Sequence, residues 1–348
     1  MSGVVHLVHP GPAHAPTGGS RYNLRLAQAL RRAGREVSMH RVDGAWPRPT
    51  AAEEAAYATV LASLPEGSTA LVDGLVYSPA PTVARTQATR LRLVPIVHLP
   101  LAEETGLAAD EARRLEELER AALAQAFRVL ATSGFTARTL ADLGVAPERS
   151  WVVEPGVDPA PVVPGGDGTR LLCVAALTPR KAHDVLVEAL GQLHRSDWRC
   201  TLLGPLDHAP DFVRTLRERI AGLGLAARVE LPGAADEAAV DAAYRHADVL
   251  VLPSRYETYG MVLTEALARG LPVITTRAGA IPETVPEAAS LQVAAGDAAA
   301  LATALSRWLD DAALRDRLRE AASQHRRRLA GWPRQAGILD ARLREYGL

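Results

Sequence analysis

Cysteine, lysine and long apolar runs are scarce in this chain, and each scarcity excludes something. Cys173 and Cys200 are the only two cysteines in 348 residues. Each lies in an apolar run that reads as a buried strand, so a disulfide-stapled scaffold is excluded and free core thiols in a reducing cytosol are expected. Lys181 is the single lysine among 39 basic residues; a codon bias toward Arg and Ala accounts for that, and it makes the surviving lysine worth following. The 39 basic and 40 acidic residues leave a formal net charge of −1, which supplies no electrostatic footprint for wrapping nucleic acid. Asp, Arg or Pro interrupts every apolar stretch before it reaches the length of a membrane span. The opening MSGVVHLVHPGP lacks the basic start of a signal peptide and reads as a first strand. A soluble, cytoplasmic protein is the expectation.

Several catalytic signatures are also missing. There is no G-x-x-x-x-G-K-[ST] phosphate loop and no G-x-S-x-G nucleophile elbow. A G-x-G-x-x-A string occurs at Gly222, Gly224 and Ala227, but it follows a helical pattern and precedes a strand. That order is the reverse of the turn that cradles a pyrophosphate, so the string reads as a helix C-cap. His6, His9 and His14 do not read as a metal site, because His6 and His9 point to opposite faces of a strand and no Asp-x-Asp pair accompanies them. Neither a protein-bound metal nor a cofactor is expected.

What is present is a repeated βα pattern. Hydrophobic residues make up 48% and charged residues 23% of the chain, near the averages for folded globular proteins, and the length suits about two domains. Short Val-, Leu- and Ile-rich runs alternate with helical periodicity. Strands are expected at Val4–Val8, Glu36–His40, Ala70–Val72, Val94–His98, Arg128–Ala131 and Trp151–Val153, flanked by helices near Ser20–Ala33, Ala51–Leu64, Asp110–Ala126 and Thr136–Leu143. Glu154–Gly168, EPGVDPAPVVPGGDG, packs Pro and Gly too densely for a regular element and reads as a linker, with 159–168 as its core. The pattern then restarts. Strands at Leu171–Ala175, Cys200–Leu203, Arg228–Leu231, Val249–Leu252 and Val273–Thr275 alternate with helices from Arg180–Leu193 through Thr258–Arg269 to Ala312–Arg327. Continuous apolar strands between helices imply parallel sheets covered on both faces. The expected class is α/β: two doubly wound, Rossmann-like domains, residues 1–158 and 169–330, with a ligand cleft where the carboxyl ends of their strands face each other.

The segment Ser254–Glu283, SRYETYGMVLTEALARGLPVITTRAGAIPE, carries the most chemistry. Glu257 falls at the carboxyl end of a strand, in the loop leading to a helix expected to begin near Thr258 or Tyr259. That start places the amides of Gly260, Met261 and Val262 in the first turn, where unpaired N–H groups and the positive end of the dipole suit a phosphate. Glu265 lies only about 6–7 Å further along the axis than Met261. One carboxylate is then placed to grip a ribose and the other a sugar hydroxyl, since a carboxylate accepts two hydrogen bonds from a vicinal diol.

This spacing resembles the glutamate–seven–glutamate signature of the retaining GT-B glycosyltransferases of family 4. The likeness extends along nearly the whole chain. Gly18 and Gly19 resemble the family's glycine pair beside the donor phosphates, VAALTPRKAHDVLVEAL its strand, basic loop and helix, and AGAIPE its G-G-x-P-E turn with Ala280 in place of the second glycine. The resemblance implies that Lys181, with Arg180, neutralises the diphosphate leaving group. It implies that Glu257 holds donor-sugar hydroxyls, that Thr258, Tyr259, Gly260, Met261 and Val262 line the donor, and that Glu265 binds the nucleotide ribose. His98 falls where the family places a histidine beside the donor sugar, and residues 331–348 are placed to pack back on the first domain. Taken singly, Glu265 reads as a surface helix residue, His98 as a core histidine and Lys181 as a solvated charge; their joint order favours function.

The expected activity is transfer of a sugar from a nucleotide diphosphate donor (UDP or GDP) to the hydroxyl of a small-molecule, glycan or lipid acceptor, with retention and without a metal. The alternatives are a catalytically silent nucleotide-sugar-binding subunit and a sugar-nucleotide epimerase. The likeness departs from the family in one respect: Ala175 and Ala176 stand where a glycine and a phosphate-binding arginine are common, and Arg180 is the nearest replacement charge. The basic helix with Arg21, Arg25, Arg31 and Arg32 reads as a solvated face in preference to a membrane-docking one.

Overall fold

A computed structural model of the chain describes residues 3–11 and 17–348; His14 lies outside them. The chain forms two compact units, one made of the residues up to Gly156 together with Ala330–Leu348, the other of Val157–Leu329. In the first unit six strands, β1 (Val5–Pro10), β2 (Val37–Val42), β3 (Thr69–Asp73), β4 (Arg92–Val97), β5 (Val129–Ala131) and β6 (Ser150–Val152), lie in the order β2-β1-β3-β4-β5-β6. All neighbours are parallel. The strand order turns between β1 and β3, and in open α/β sheets the crevice at the carboxyl ends of such a strand pair is where ligands sit. Gly18 and Gly19 follow β1, and Asp73 closes β3.

The second unit repeats the plan. Its strands are β7 (Arg170–Val174), β8 (Arg199–Leu203), β9 (Val229–Gly233), β10 (Val249–Leu252), β11 (Val273–Thr276) and β12 (Ser290–Val293), in the order β12-β11-β10-β7-β8-β9. Here the turn falls between β7 and β10. Lys181 follows the first of these strands and Glu257 the second, so the switch point brings them together from 76 residues apart.

Differences from the sequence reading concern short or unusual elements. Strand β12 is only 4 residues long and half-buried at the sheet edge, so neither an apolar run nor a clean alternation marks it. Helices Gly74–Tyr77 and Pro81–Gln87 are likewise too short to show a period. The helix expected over 180–193 is divided: Pro179–Lys181 is a 3-10 turn, and the helix proper is His183–Gly191. Residues 159–168 form neither helix nor strand, yet they are strapped to the second unit. Arg326 Nη2 donates to the Ala160 carbonyl at 2.7 Å, Val163 N–H to the Arg269 carbonyl at 2.8 Å, and the indole of buried Trp308 to the Gly168 carbonyl at 2.8 Å.

The helix Trp332–Glu345 completes the first unit. Trp332 meets Tyr22 edge-on with ring centroids 5.6 Å apart, while Ala336, Leu339 and Leu343 are fully buried. Buried Arg35 donates to Asp340 Oδ1 at 2.7 Å and to the Leu348 carbonyl at 2.9 Å, which pairs its charge where an unpaired one would be costly. Leu339→Ala removes a buried side chain from this seam, and such truncations cost about 2–5 kcal/mol. Chemical denaturation of the variant is expected to shift the transition of the first unit by that amount and leave the second in place; an unshifted first transition would show that the helix is not part of its core.

Candidate active site

In the second unit, the Pro-Ser after β10 turns the chain so that Glu257 enters the protein rather than solvent, with only 4% of its surface exposed. Its Oε1 accepts from Ser254 Oγ at 2.7 Å and from Lys181 Nζ at 2.5 Å. The backbone is clamped as well, because Ala280 N–H donates to the Glu257 carbonyl at 2.8 Å. Gly279 makes that approach possible: its φ is +56°, and a Cβ there would lie 2.1 Å from the Glu257 carbonyl oxygen. Ala280 itself has φ −78°, a conformation open to any residue, which explains why the second glycine of the turn can be replaced.

Burial opposes both charges of the pair. At Glu257 it is outweighed by Lys181, Arg180 and the Ser254 hydroxyl, which hold the carboxyl below its usual range. At Lys181 burial prevails over the attraction of Glu257 and keeps the ammonium below its usual value. Lys181 is aimed inward by Ala182, a buried residue held in the left-handed region at φ 56°, and the only non-glycine with positive φ among the described residues. Behind the lysine, burial drives the His183 imidazole down to about 3 and the Cys173 thiol up to about 12. Both therefore act as neutral packing groups, 3.5 Å apart, and Cys173 and Cys200 are free and buried.

Arg180 does not stand at a helix N-terminus as its sequence position suggested. It sits in the 3-10 turn, with Nη1 at 4.0 Å from Glu257 Oε2 and the Arg180 carbonyl accepting from Arg255 N–H at 2.8 Å. The two loops that follow β7 and β10 are thus tied together, further so by Arg255 on Asp184 at 2.7 Å. The glutamate-bearing helix also starts later than expected, at Met261, with Gly260 as its N-cap at φ 86°. Met261 and Val262 are its first two residues, the Leu263 amide is engaged by the Gly260 carbonyl at 2.9 Å, and Thr258 and Tyr259 lie ahead of the helix. Glu265 Oε2 accepts from the hydroxyl of Tyr244 at 3.1 Å. Tyr244, fully buried, was not singled out from the sequence; nothing in its local pattern separates it from an ordinary core aromatic.

In the first unit Thr17 caps the helix Gly18–Arg32 through a capping box with Ser20. Gly18 has open space around it, whereas a Cβ on Gly19 would lie 3.0 Å from His98 Cδ2. His98, just past β4, places Nε2 at 3.2 Å from Asn23 Oδ1 and 3.4 Å from Asp73 Oδ2. Burial alone would raise the Asp73 carboxyl, but hydrogen bonds from His98, the Leu75 amide and Asn23 hold it below its usual value. Asn23 and Asp73 also escaped the sequence reading, although the Asp-Gly at the end of β3 marks the turn that carries the carboxylate. Among the described residues no group of three or more His, Cys, Asp or Glu side chains is arranged to hold a metal ion, and no helix is long and apolar enough to cross a membrane.

Two doubly wound sheets, each with its polar residues gathered at a switch point, define the GT-B class of glycosyltransferases. Residues 159–325 match the model of the family described as glycosyl transferases group 1, and residues 74–161 that of glycosyltransferase family 4; the chain belongs to this family. Among its relatives, the D-inositol 3-phosphate glycosyltransferase of Corynebacterium efficiens is 31% identical over 268 residues, 68% of this chain and 62% of that protein. The enzyme of the same name from Nocardia farcinica is 33% identical over 278 residues, 71% of this chain and 61% of that one. The matches thus span less than two thirds of these relatives' own length. Among solved structures, sucrose-phosphate synthase from Thermosynechococcus elongatus superposes with a TM-score of 0.81 at 22% identity, covering 98% of both chains. Anabaena HepE, solved with UDP and glucose, gives 0.75 at 16% identity over 98% of this chain and 99% of its own.

Ala182 generates a stability prediction. A left-handed conformation costs an L-residue with a Cβ about 1–2 kcal/mol, part of which a glycine returns through its looser unfolded chain. Ala182→Gly is therefore expected to stabilise the second unit by about 0.5–1 kcal/mol, read as a higher denaturation midpoint. A lowered midpoint would show that the Ala182 methyl packs more favourably than its backbone strain costs.

Proposed function

We propose that this protein is a retaining glycosyltransferase whose second unit binds a nucleotide diphosphate sugar and whose acceptor contributes a hydroxyl. The observation that carries this reading is the Lys181–Glu257 ion pair at the β7/β10 switch point, flanked by the first turn of helix Met261–Ala268. A diphosphate there meets the Lys181 ammonium, the Arg180 guanidinium and the Met261 and Val262 amides, the combination that favours phosphate at a helix start. Glu265, held by Tyr244, is the ribose ligand. Glu257 is the ligand of the donor-sugar hydroxyls, and His98 in the first unit binds a sugar hydroxyl.

Catalysis on this reading is mostly charge compensation. As the glycosidic bond breaks, negative charge grows on the departing diphosphate, and fixed cations and amides stabilise it more than they stabilise the intact donor. Those groups take the part that a divalent ion plays elsewhere. Glu257 is poorly suited to be a nucleophile, since its Oε1 already accepts from Lys181 and Ser254. Same-face substitution through an oxocarbenium-like state, without a covalent enzyme intermediate, fits that arrangement better than the paired-carboxylate route. The relatives named for D-inositol 3-phosphate and the neighbour solved with UDP support a uridine or related nucleotide and a hydroxylated acceptor. The acceptor class stays broad: a small molecule, glycan or lipid, with neither nucleic acid nor membrane docking in the reading. A cytoplasmic setting suits the two free thiols.

The test is a panel of UDP-, GDP- and ADP-sugars with polyol and sugar acceptors, measuring released nucleoside diphosphate. Release with no member of the panel would count against the reading. Glu265→Gln is expected to weaken binding of the active nucleotide diphosphate at least about tenfold, because charge-assisted hydrogen bonds contribute about 1.5–3 kcal/mol each. Unchanged calorimetric affinity in the folded variant would remove Glu265 from the ribose site. Arg180→Ala is expected to lower turnover at least about tenfold, equivalent to roughly 1.4 kcal/mol of transition-state stabilisation, with a smaller change in donor affinity. Arg180→Lys recovers only part, since the planar fork is lost. Unaltered kinetics in Arg180→Ala would show that it does not replace the arginine absent at Ala176.

A further inference from the structure

Polar contacts hold His98 through one ring nitrogen only. Its Nε2 faces two oxygen atoms, Asn23 Oδ1 at 3.2 Å and Asp73 Oδ2 at 3.4 Å. The orientation of the Asn23 amide is set independently of the histidine, because its Nδ2 donates to the same Asp73 Oδ2. An amide that gives its N–H₂ to a carboxylate must turn its oxygen elsewhere, and here that oxygen meets the imidazole. Both atoms facing Nε2 are therefore acceptors, and a nitrogen confronted only by acceptors carries the proton.

The frame around this contact is rigid. Asp73 is 2% exposed and Asn23 1% exposed. Asp73 Oδ1 accepts from the Leu75 N–H at 2.9 Å, capping the short helix Gly74–Tyr77. Gly74 lets that turn lie against β4, since a Cβ there would stand 2.9 Å from the Ile96 carbonyl oxygen. Gly19 packs on the Cδ2–Nε2 edge of the ring and Tyr22 meets it edge-on at 5.1 Å. The remaining nitrogen, Nδ1, has no hydrogen-bond partner among the described residues and is not among their buried unpaired atoms.

We propose that Asp73 and Asn23 are positioning residues that lock His98 in its Nε2–H form, so that the protein presents Nδ1 as a hydrogen-bond acceptor for a sugar hydroxyl. A lone pair at this place selects a hydroxyl as its ligand and turns away a carbonyl or a phosphate oxygen, which have no proton to offer it. The consequence for turnover rests on the glycosyltransferase reading. The protonation pattern itself is a property of the free protein.

Those two parts are measured separately. In the full chain carrying ¹⁵N-labelled histidine at about pH 8, long-range proton–nitrogen correlation reports which ring nitrogen is protonated, with the His98 signals identified by their loss in His98→Gln. The expected spectrum has Nε2 protonated and Nδ1 bare. A protonated Nδ1, alone or in a doubly protonated ring, overturns the proposal whatever the protein catalyses. In folded Asp73→Asn, the Nδ1–H form is expected to become populated, with a fall of at least about tenfold in kcat/KM on the sugar donor found active. An unchanged His98 spectrum in that variant overturns the positioning role. If Asp73→Asn does not fold, Asp73→Ser serves the same end, since a serine keeps an N-cap oxygen for Leu75 but removes the carboxylate that fixes both the ring and the Asn23 amide: mixed protonation supports the proposal, and a wild-type spectrum opposes it. Lack of transfer with every donor in an otherwise matching spectrum would count against the glycosyltransferase reading alone.

Discussion

An ion pair between a partly buried lysine and a buried glutamate holds the second unit's site together. Lys181 and Glu257 come from loops after two adjacent parallel strands, and it is the buried glutamate that depends most on the contact, since leaving a buried charge without its partner commonly costs about 3–5 kcal/mol. Around this contact the rest is arranged. The left-handed Ala182 aims the lysine, Gly279 brings a turn onto the glutamate's backbone, and Arg255 ties the two loops through Asp184. The pair keeps the cation in place without burying it unpaired, so positive charge is already oriented when an anionic ligand arrives. That is preorganisation, the condition under which an electrostatic contact contributes most to a reaction.

Strand order, more than any motif, decides which residues meet. Both sheets turn next to the strand that opens them, so the loops after β1 and β3 in one unit, and after β7 and β10 in the other, diverge and leave a crevice. Residues of modest individual meaning acquire a role by standing there. Glu265 alone is a half-buried helix residue; one and a half turns beyond Gly260 and bonded to a buried tyrosine, it is a fixed acceptor.

Legibility from the sequence follows the same division. The strands with continuous apolar runs, such as TALVD and VLVL, were visible because burial on both faces requires such runs, and so was the repeated βα order. The loop carrying Glu257 and the later carboxylate of Glu265 were visible because their spacing survives in one dimension. Hidden were the contacts that depend on φ or on strand order. The left-handed Ala182 that separates the 3-10 turn from the helix His183–Gly191 looks like any alanine in the sequence. The delayed start at Met261 depends on Gly260 adopting a positive φ, and the placement of Asn23 and Tyr244 depends on neighbours 50 and 21 residues away. Residues 159–168 illustrate the converse: composition correctly denied them a regular element but could not show the arginine and tryptophan that fasten them.

The division of the chain has a temporal side. The second unit is one uninterrupted stretch, Val157–Leu329, set within the first, which resumes at Ala330. The two crossings lie close at both ends: Gly156 touches Trp332 in the first unit, and Ala160 accepts a hydrogen bond from Arg326 in the second. During synthesis the six strands of the first sheet emerge early, yet the apolar seam that Ala336, Leu339 and Leu343 fill must wait until every residue of the second unit has been made. The first unit to begin folding is the last to finish, and its open seam is a sticky surface for as long as translation of the intervening stretch takes.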